Sequence, residues 1–158
     1  PIVSYNFGAR NAQRVREAFS CLLRACLSYS MAIWLLVELF PSVFVRIFNS
    51  TPSLVAYASR SVRIYMACSG IFGIQTACQQ TFVALGNAKT SLLLAVWRKI
   101  ILLVPLIYIL PCFFADKAFA VFLAEPVADF GAVVMTSVMF YRQFRRSMRA
   151  LEETTGET

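Results

Sequence analysis

The chain contains no histidine. That removes the one side chain whose unperturbed titration falls near neutrality, and with it His-ligated zinc and His-activated nucleophiles. Five cysteines are present, Cys21, Cys26, Cys68, Cys78 and Cys112, with no CxxC pair among them. Each lies in or at the end of an apolar run, so they read as reduced packing residues and not as metal ligands. No nucleophile–base pair stands out either, so no catalytic residue, no metal site and no enzyme are expected. Acids are scarce: 8 Asp and Glu against 15 Lys and Arg, a net charge of +7. The basic residues flank apolar runs instead of coating a polar face, which argues against nucleic acid as a partner. An initiator Met is absent, no signal peptide is visible, and Pro1 to Gly8 reads as the middle of something. The sequence is therefore expected to be a C-terminal piece of a longer protein.

What abounds is apolar. Hydrophobic residues make up 59% of the chain and aromatics 14%, where soluble domains average about 45–50% apolar. The expected fold is an all-α membrane protein of four transmembrane helices, with the lipid bilayer as its main partner. The predicted spans cover about 18–40, 62–85, 91–110 and 118–141, each long enough for a roughly 30 Å hydrocarbon layer. Residues 1–20 are expected to form a loop and an amphipathic surface helix, in which Tyr5-Asn6-Phe7-Gly8 has turn chemistry. Residues 41–51 are too short to span and suit an interfacial segment. Thr51-Pro52 matches an N-cap followed by Pro at the first helical position, and residues 52–61 lead into the second span. Pro105 should distort the third span. The end, 150–158, is predicted to be a disordered tail.

Charge sets the orientation. Arg10, Arg14, Arg16, Lys89, Arg98, Lys99, Arg142, Arg145, Arg146 and Arg149 fall on the side that holds both termini and the Gly86 turn. Arg46, Arg60, Arg63 and Lys117 fall on the other, with Arg24 snorkelling from the first span. The positive-inside rule then makes both ends cytoplasmic, in a multi-pass protein of the cell membrane.

Polar residues inside the spans are the candidates for function. Projected at about 100° per residue, Tyr65, Ser69, Gly73, Thr76 and Gln80 form one stripe, with Gln79 at its edge and Gln75 a turn above. Such a stripe either glues helices together or lines a cavity. Glu125 and Asp129 are four apart and share a helix face. A carboxylate at mid-membrane costs about 2.5–3.5 kcal/mol, so each needs a partner or a proton. Arg98, on the antiparallel third span, can bridge most of the gap to Asp129 if the two helices are neighbours, while Glu125 has no obvious partner and is the better candidate for proton or cation handling. Ala120, Ala124, Ala128 and Ala132 give the fourth span a close-packing face.

The stretch PIVSYNFGARNAQRVREAF resembles the loop after the second helix of each lobe in multidrug and toxic compound extrusion (MATE) transporters, with Pro1, Tyr5, Asn6, Gly8 and Asn11 as the motif positions. RIYMACSGIFGIQTACQQTFVALGNAKTS is similar to that family's tenth helix and following turn, and the segments after it to helices eleven and twelve. The branch it looks closest to is MepA-like. This resemblance implies helices nine to twelve of a two-lobe, twelve-helix exporter that exchanges small cationic drugs or dyes for Na⁺ or H⁺ by alternating access. The remaining helices of the same chain would be its partners, and no cofactor beyond the coupling ion is implied. In some branches the tenth helix carries an acid for coupling; here it carries Gln75, Gln79 and Gln80. The resemblance thus assigns Tyr65, Ser69, Thr76, Gln79 and Gln80 to the substrate pathway and moves coupling elsewhere. A flippase of lipid-linked sugars and a non-transporting membrane module are the alternatives.

Overall fold

The computed structural model describes residues 1–48 and 50–156, the last three of these by backbone only. All regular structure among them is helical. In chain order the elements are α1 (Ile2–Gly8), α2 (Ala12–Leu39), α3 (Pro41–Phe48), α4 (Pro52–Met66), α5 (Phe72–Ala84), α6 (Ala88–Val96), α7 (Val104–Phe113) and α8 (Lys117–Gly156). A 3₁₀ turn, Ser69–Ile71, separates α4 from α5, and a π-helical stretch, Trp97–Leu103, joins α6 to α7. Ala12–Leu39, Ala88–Phe113 and Lys117–Glu153 are long and apolar enough to cross a membrane.

The expected second span is not one helix. Between Met66 and Phe72 the chain leaves α-helical geometry, and this break lies directly against α2. Gly73 sits so close to α2 that a Cβ there would stand 2.5 Å from the Cys26 carbonyl oxygen and 2.5 Å from Ser30 Oγ. Beside it, Gly70 is pressed against the Trp34 ring, and its carbonyl accepts a 2.7 Å hydrogen bond from Ser30 Oγ. The break frees backbone carbonyls that lipid cannot satisfy, and a hydroxyl from the neighbouring helix takes one. The lead-in, 52–61, is helix, as the Thr51-Pro52 signal implies, with Thr51 at the N-cap and Pro52 in the first turn.

Helix α8 carries a buried stripe longer than its four alanines. Ala120, Ala124, Ala128, Ala132, Thr136, Phe140 and Met148 are all buried, at spacings of four or a multiple of four. A step of four overshoots the 3.6-residue turn, so the stripe winds around the helix. Different neighbours therefore cover its two ends. Small residues let helices approach in the first half. In the second half, Phe140 meets Phe82 edge-on at 5.3 Å and Phe19 at 4.6 Å, and Met148 joins Val3, Val15 and Leu85 in an apolar cluster. That cluster corrects the expected disordered tail. Leu151 packs against it, Glu152 pairs with Arg16 at 2.8 Å, and helix continues to Gly156. Glu157 and Thr158, the end of the expected tail, lie outside the described residues.

Two helix ends share one device. At the end of α5, Gly86 takes φ 81°, its N–H donates to Val83 O and the Asn87 N–H to Phe82 O. This is a Schellman closure, which uses glycine because only it enters the left-handed region without steric cost. At the end of α1 the same bonds run from Arg10 to Phe7 O and from Asn11 to Asn6 O. The left-handed residue there is Arg10, at φ 56°. The turn chemistry of Tyr5 to Gly8 is thus corrected: those residues are helical, and the turn falls two positions later.

Candidate functional site

Pro105 has no N–H to give the Ile101 carbonyl, and its ring crowds that carbonyl in a regular helix. The chain responds with the π-helical stretch Trp97–Leu103, which ends just before it. Arg98 and Lys99 sit at the start of that stretch. Neighbours on an α-helix point about 100° apart. A π turn holds more residues per turn and narrows this angle slightly, and both cations reach the same face of α8.

On that face Glu125 and Asp129 are one turn apart and buried, 7% and 6% exposed. Arg98 Nε donates to Asp129 Oδ1 at 2.6 Å and its Nη2 donates to Glu125 Oε1 at 3.0 Å. The same Nη2 also meets Asp129 Oδ1. Lys99 Nζ donates to Glu125 Oε1 at 3.2 Å. From the other side, the guanidinium carbon lies 4.5 Å above the centre of the Phe72 ring at the start of α5. Two cations and two carboxylates cancel, which makes the burial tolerable. The structure joins Arg98 to Asp129, and it gives Glu125, expected to stand alone, two partners. Lys99 and Phe72 were missed as members. Lys99 was legible as a basic neighbour of Arg98, whereas nothing local in the sequence points Phe72 at it.

The arrangement holds three helices, α5, the α6–α7 rod and α8, at one point. Among the described residues no carboxylate of this cluster is left without a cation. Its chemistry is that of a lock: losing the charge on either acid strands part of the Arg98 charge in a poorly solvated place.

The predicted polar stripe is divided. Ser69 and Thr76 line a groove of about 270 Å³ with Tyr29, Ser30 and Ile33 of α2 and with Phe72. Gly73, also on its wall, is the point of closest helix contact. Tyr65 and Gln80 are exposed and do not line it. Gln79 is half-buried away from it, and Gln75 is only 1% exposed. On α2 a second polar row lies outside the predicted stripe: Arg16, Ser20, Arg24 and Ser28 recur every four residues along one groove. The spacing is the signal that could have found it.

The loop positions divide in the same way. Asn6 is buried and its Nδ2 donates to the Ile2 carbonyl at 2.8 Å, while Asn11 Oδ1 accepts from the Arg14 N–H at 3.0 Å. These two residues end α1 and start α2. Pro1 precedes α1, Tyr5 is exposed, and a Cβ at Gly8 would meet nothing.

The MatE family model matches residues 1–109. The chain belongs to the MatE family. Members of that family are transporters and not enzymes, and this one is an all-α membrane protein. A solved chain described only as "protein A" is 32% identical, with a TM-score of 0.82 over 90% of this chain and 31% of its own. The MATE multidrug transporter DinF-BH, solved in complex with a ligand, is 30% identical, with a TM-score of 0.80 over 87% of this chain and 30% of its own. An inward-facing multidrug resistance MATE transporter of the MOP superfamily is 16% identical, with a TM-score of 0.81 over 97% and 34%, and shares the fold. This MatE chain spans about a third of the length of the structures it matches. No curated protein matches.

Proposed function

We propose that this chain forms helices nine to twelve of a MatE exporter of the MepA-like branch. In this reading the whole protein expels cationic, amphipathic compounds across the cell membrane in exchange for Na⁺ or H⁺, by alternating access. Both ends of the segment are cytoplasmic. The observation that carries the reading is the family match, strengthened by the 30% identity to DinF-BH, a MATE multidrug transporter.

The local geometry divides the labour. The α2–α5 groove, with hydroxyls at Ser69 and Thr76 and rings at Tyr29 and Phe72, offers aromatic faces and weak polar contacts. Such a surface accepts many cations without imposing one geometry. The charge cluster serves differently. Glu125 and Asp129 are both engaged by cations, so neither is an open ion ligand, and α5 carries no acid. Coupling then falls to carboxylates outside this segment, while the cluster keeps α5, the α6–α7 rod and α8 moving as one body.

The test is ethidium efflux from vesicles carrying the full-length protein, with Na⁺ and proton gradients imposed separately. Efflux under one gradient and not the other is expected. No efflux under either would overturn the transport reading.

A further inference from the structure

At about 1.5 Å per residue, the 40 residues of α8 run to about 60 Å, twice the hydrocarbon thickness of a bilayer. Between Asp129 and Arg142 no charged residue occurs. Beyond Tyr141 the helix changes character. Arg142, Arg145, Arg146 and Arg149 fall within about 100° of one another around the axis, and all are exposed. On the opposite side Phe144, Met148 and Leu151 are packed against α1, α2 and α5. The helix is thus fixed by its apolar face with its arginines turned outward, just past the end of an uncharged membrane segment.

Among the described residues, no carboxylate pairs with these four guanidiniums. Glu152 is taken by Arg16, and Glu153 sits at the far end of a groove of about 470 Å³ lined by Arg142, Arg146 and Arg149. A second groove, about 720 Å³, shares Arg142 and Arg146 and opens on the other side of them. At the membrane end, Arg145 donates to the Tyr141 hydroxyl at 2.9 Å and lies over its ring. An amphipathic ring of that kind belongs at the headgroup level.

We propose that this arginine face binds the phosphodiester headgroups of anionic phospholipids in the adjacent leaflet. The chemistry matches: guanidinium forks bind phosphate oxygens bidentately, and the position is juxtamembrane, where each basic residue strengthens attachment to an anionic surface about fivefold. The lipid, and not free phosphate, is the ligand, because the stripe starts where the uncharged span ends. The inference rests on membrane insertion alone and is independent of what the protein transports.

The experiment uses the full-length protein in nanodiscs of phosphatidylcholine with phosphatidylglycerol as a minor component. Lipid retained through purification is counted by mass spectrometry. Wild type should retain phosphatidylglycerol above its bulk fraction, with the excess shrinking as salt rises and unchanged by added inorganic phosphate at constant ionic strength. R142Q/R146Q/R149Q should lose at least about tenfold of that preference, and R142K/R146K/R149K should keep most of it. If the glutamine variant fails to fold, the lysine variant and the wild-type salt series decide. Retention at the bulk ratio in wild type, an excess indifferent to salt, or an excess unchanged in the glutamine variant overturns the proposal. An excess abolished by inorganic phosphate overturns the lipid assignment. Arginines that instead hold another segment of the chain would show as loss of assembly with wild-type retention at the bulk ratio.

Discussion

Removing the Arg98 charge tests the lock most directly. In Arg98→Gln, Asp129 loses its only cation in the cluster, while Glu125 keeps Lys99. The side chains of Arg98, Glu125 and Asp129 are 15%, 10% and 9% exposed, so the magnitude for breaking a buried pair applies, about 3–5 kcal/mol. Loss of the contact with the Phe72 ring adds about 1 kcal/mol. Lys99 is a useful contrast. It makes a comparable bond to Glu125, but its side chain is 54% exposed, so Lys99→Gln should cost no more than about 1 kcal/mol. Asp129→Asn combined with Arg98→Gln leaves Glu125 with Lys99 and no stranded charge. The double variant should therefore fall short of the sum of the single variants by about 2–3 kcal/mol. Reversible denaturant unfolding of the full-length protein in detergent measures these three and Asp129→Asn alone. The reasoning is refuted if Arg98→Gln costs no more than Lys99→Gln, or if the double variant is additive.

Two further predictions follow from backbone geometry. Gly73→Ala places a methyl 2.5 Å from the Cys26 carbonyl oxygen, a backbone atom that cannot rotate away; about 1–3 kcal/mol of destabilisation is expected from overpacking. Wild-type stability in the same unfolding assay would show that α2 and α5 separate freely. Arg10→Gly should be neutral or stabilise by up to about 1 kcal/mol, because Arg10 pays for a left-handed φ that glycine adopts without cost, whereas Gly86→Ala should destabilise by about 1 kcal/mol. Equal effects at the two positions would contradict the shared closure described at the ends of α1 and α5.

Much of the helical content was open to reading because its signals are local. Four-residue recurrence marked the alanine face of α8 and put Glu125 and Asp129 on one side of it. Pro105 announced a distortion, though not that it would be a π-helical stretch carrying Arg98 and Lys99. The Gly86 turn was legible because glycine favours the left-handed region. By the same rule Arg10 was not, since nothing about an arginine marks it for that conformation. The polar stripe reads as one surface because 100° per residue assumes an unbroken helix. The 3₁₀ turn at Ser69–Ile71 interrupts that phase, and Tyr65 parts company with Ser69 and Thr76.

From residue order alone came an all-helical membrane chain, its long apolar segments, the four-residue spacing of the buried acids and the resemblance to MATE transporters. Each depends on periodicity or composition within a few turns, where backbone geometry is regular. Tertiary structure alone decided where the second span breaks, what covers the end of α8 and which ring lies under Arg98. Ser30 and Gly70 are 40 residues apart, as Arg16 and Glu152 are far apart on different helices. Their contacts depend on how whole helices are placed against one another, which no local pattern specifies.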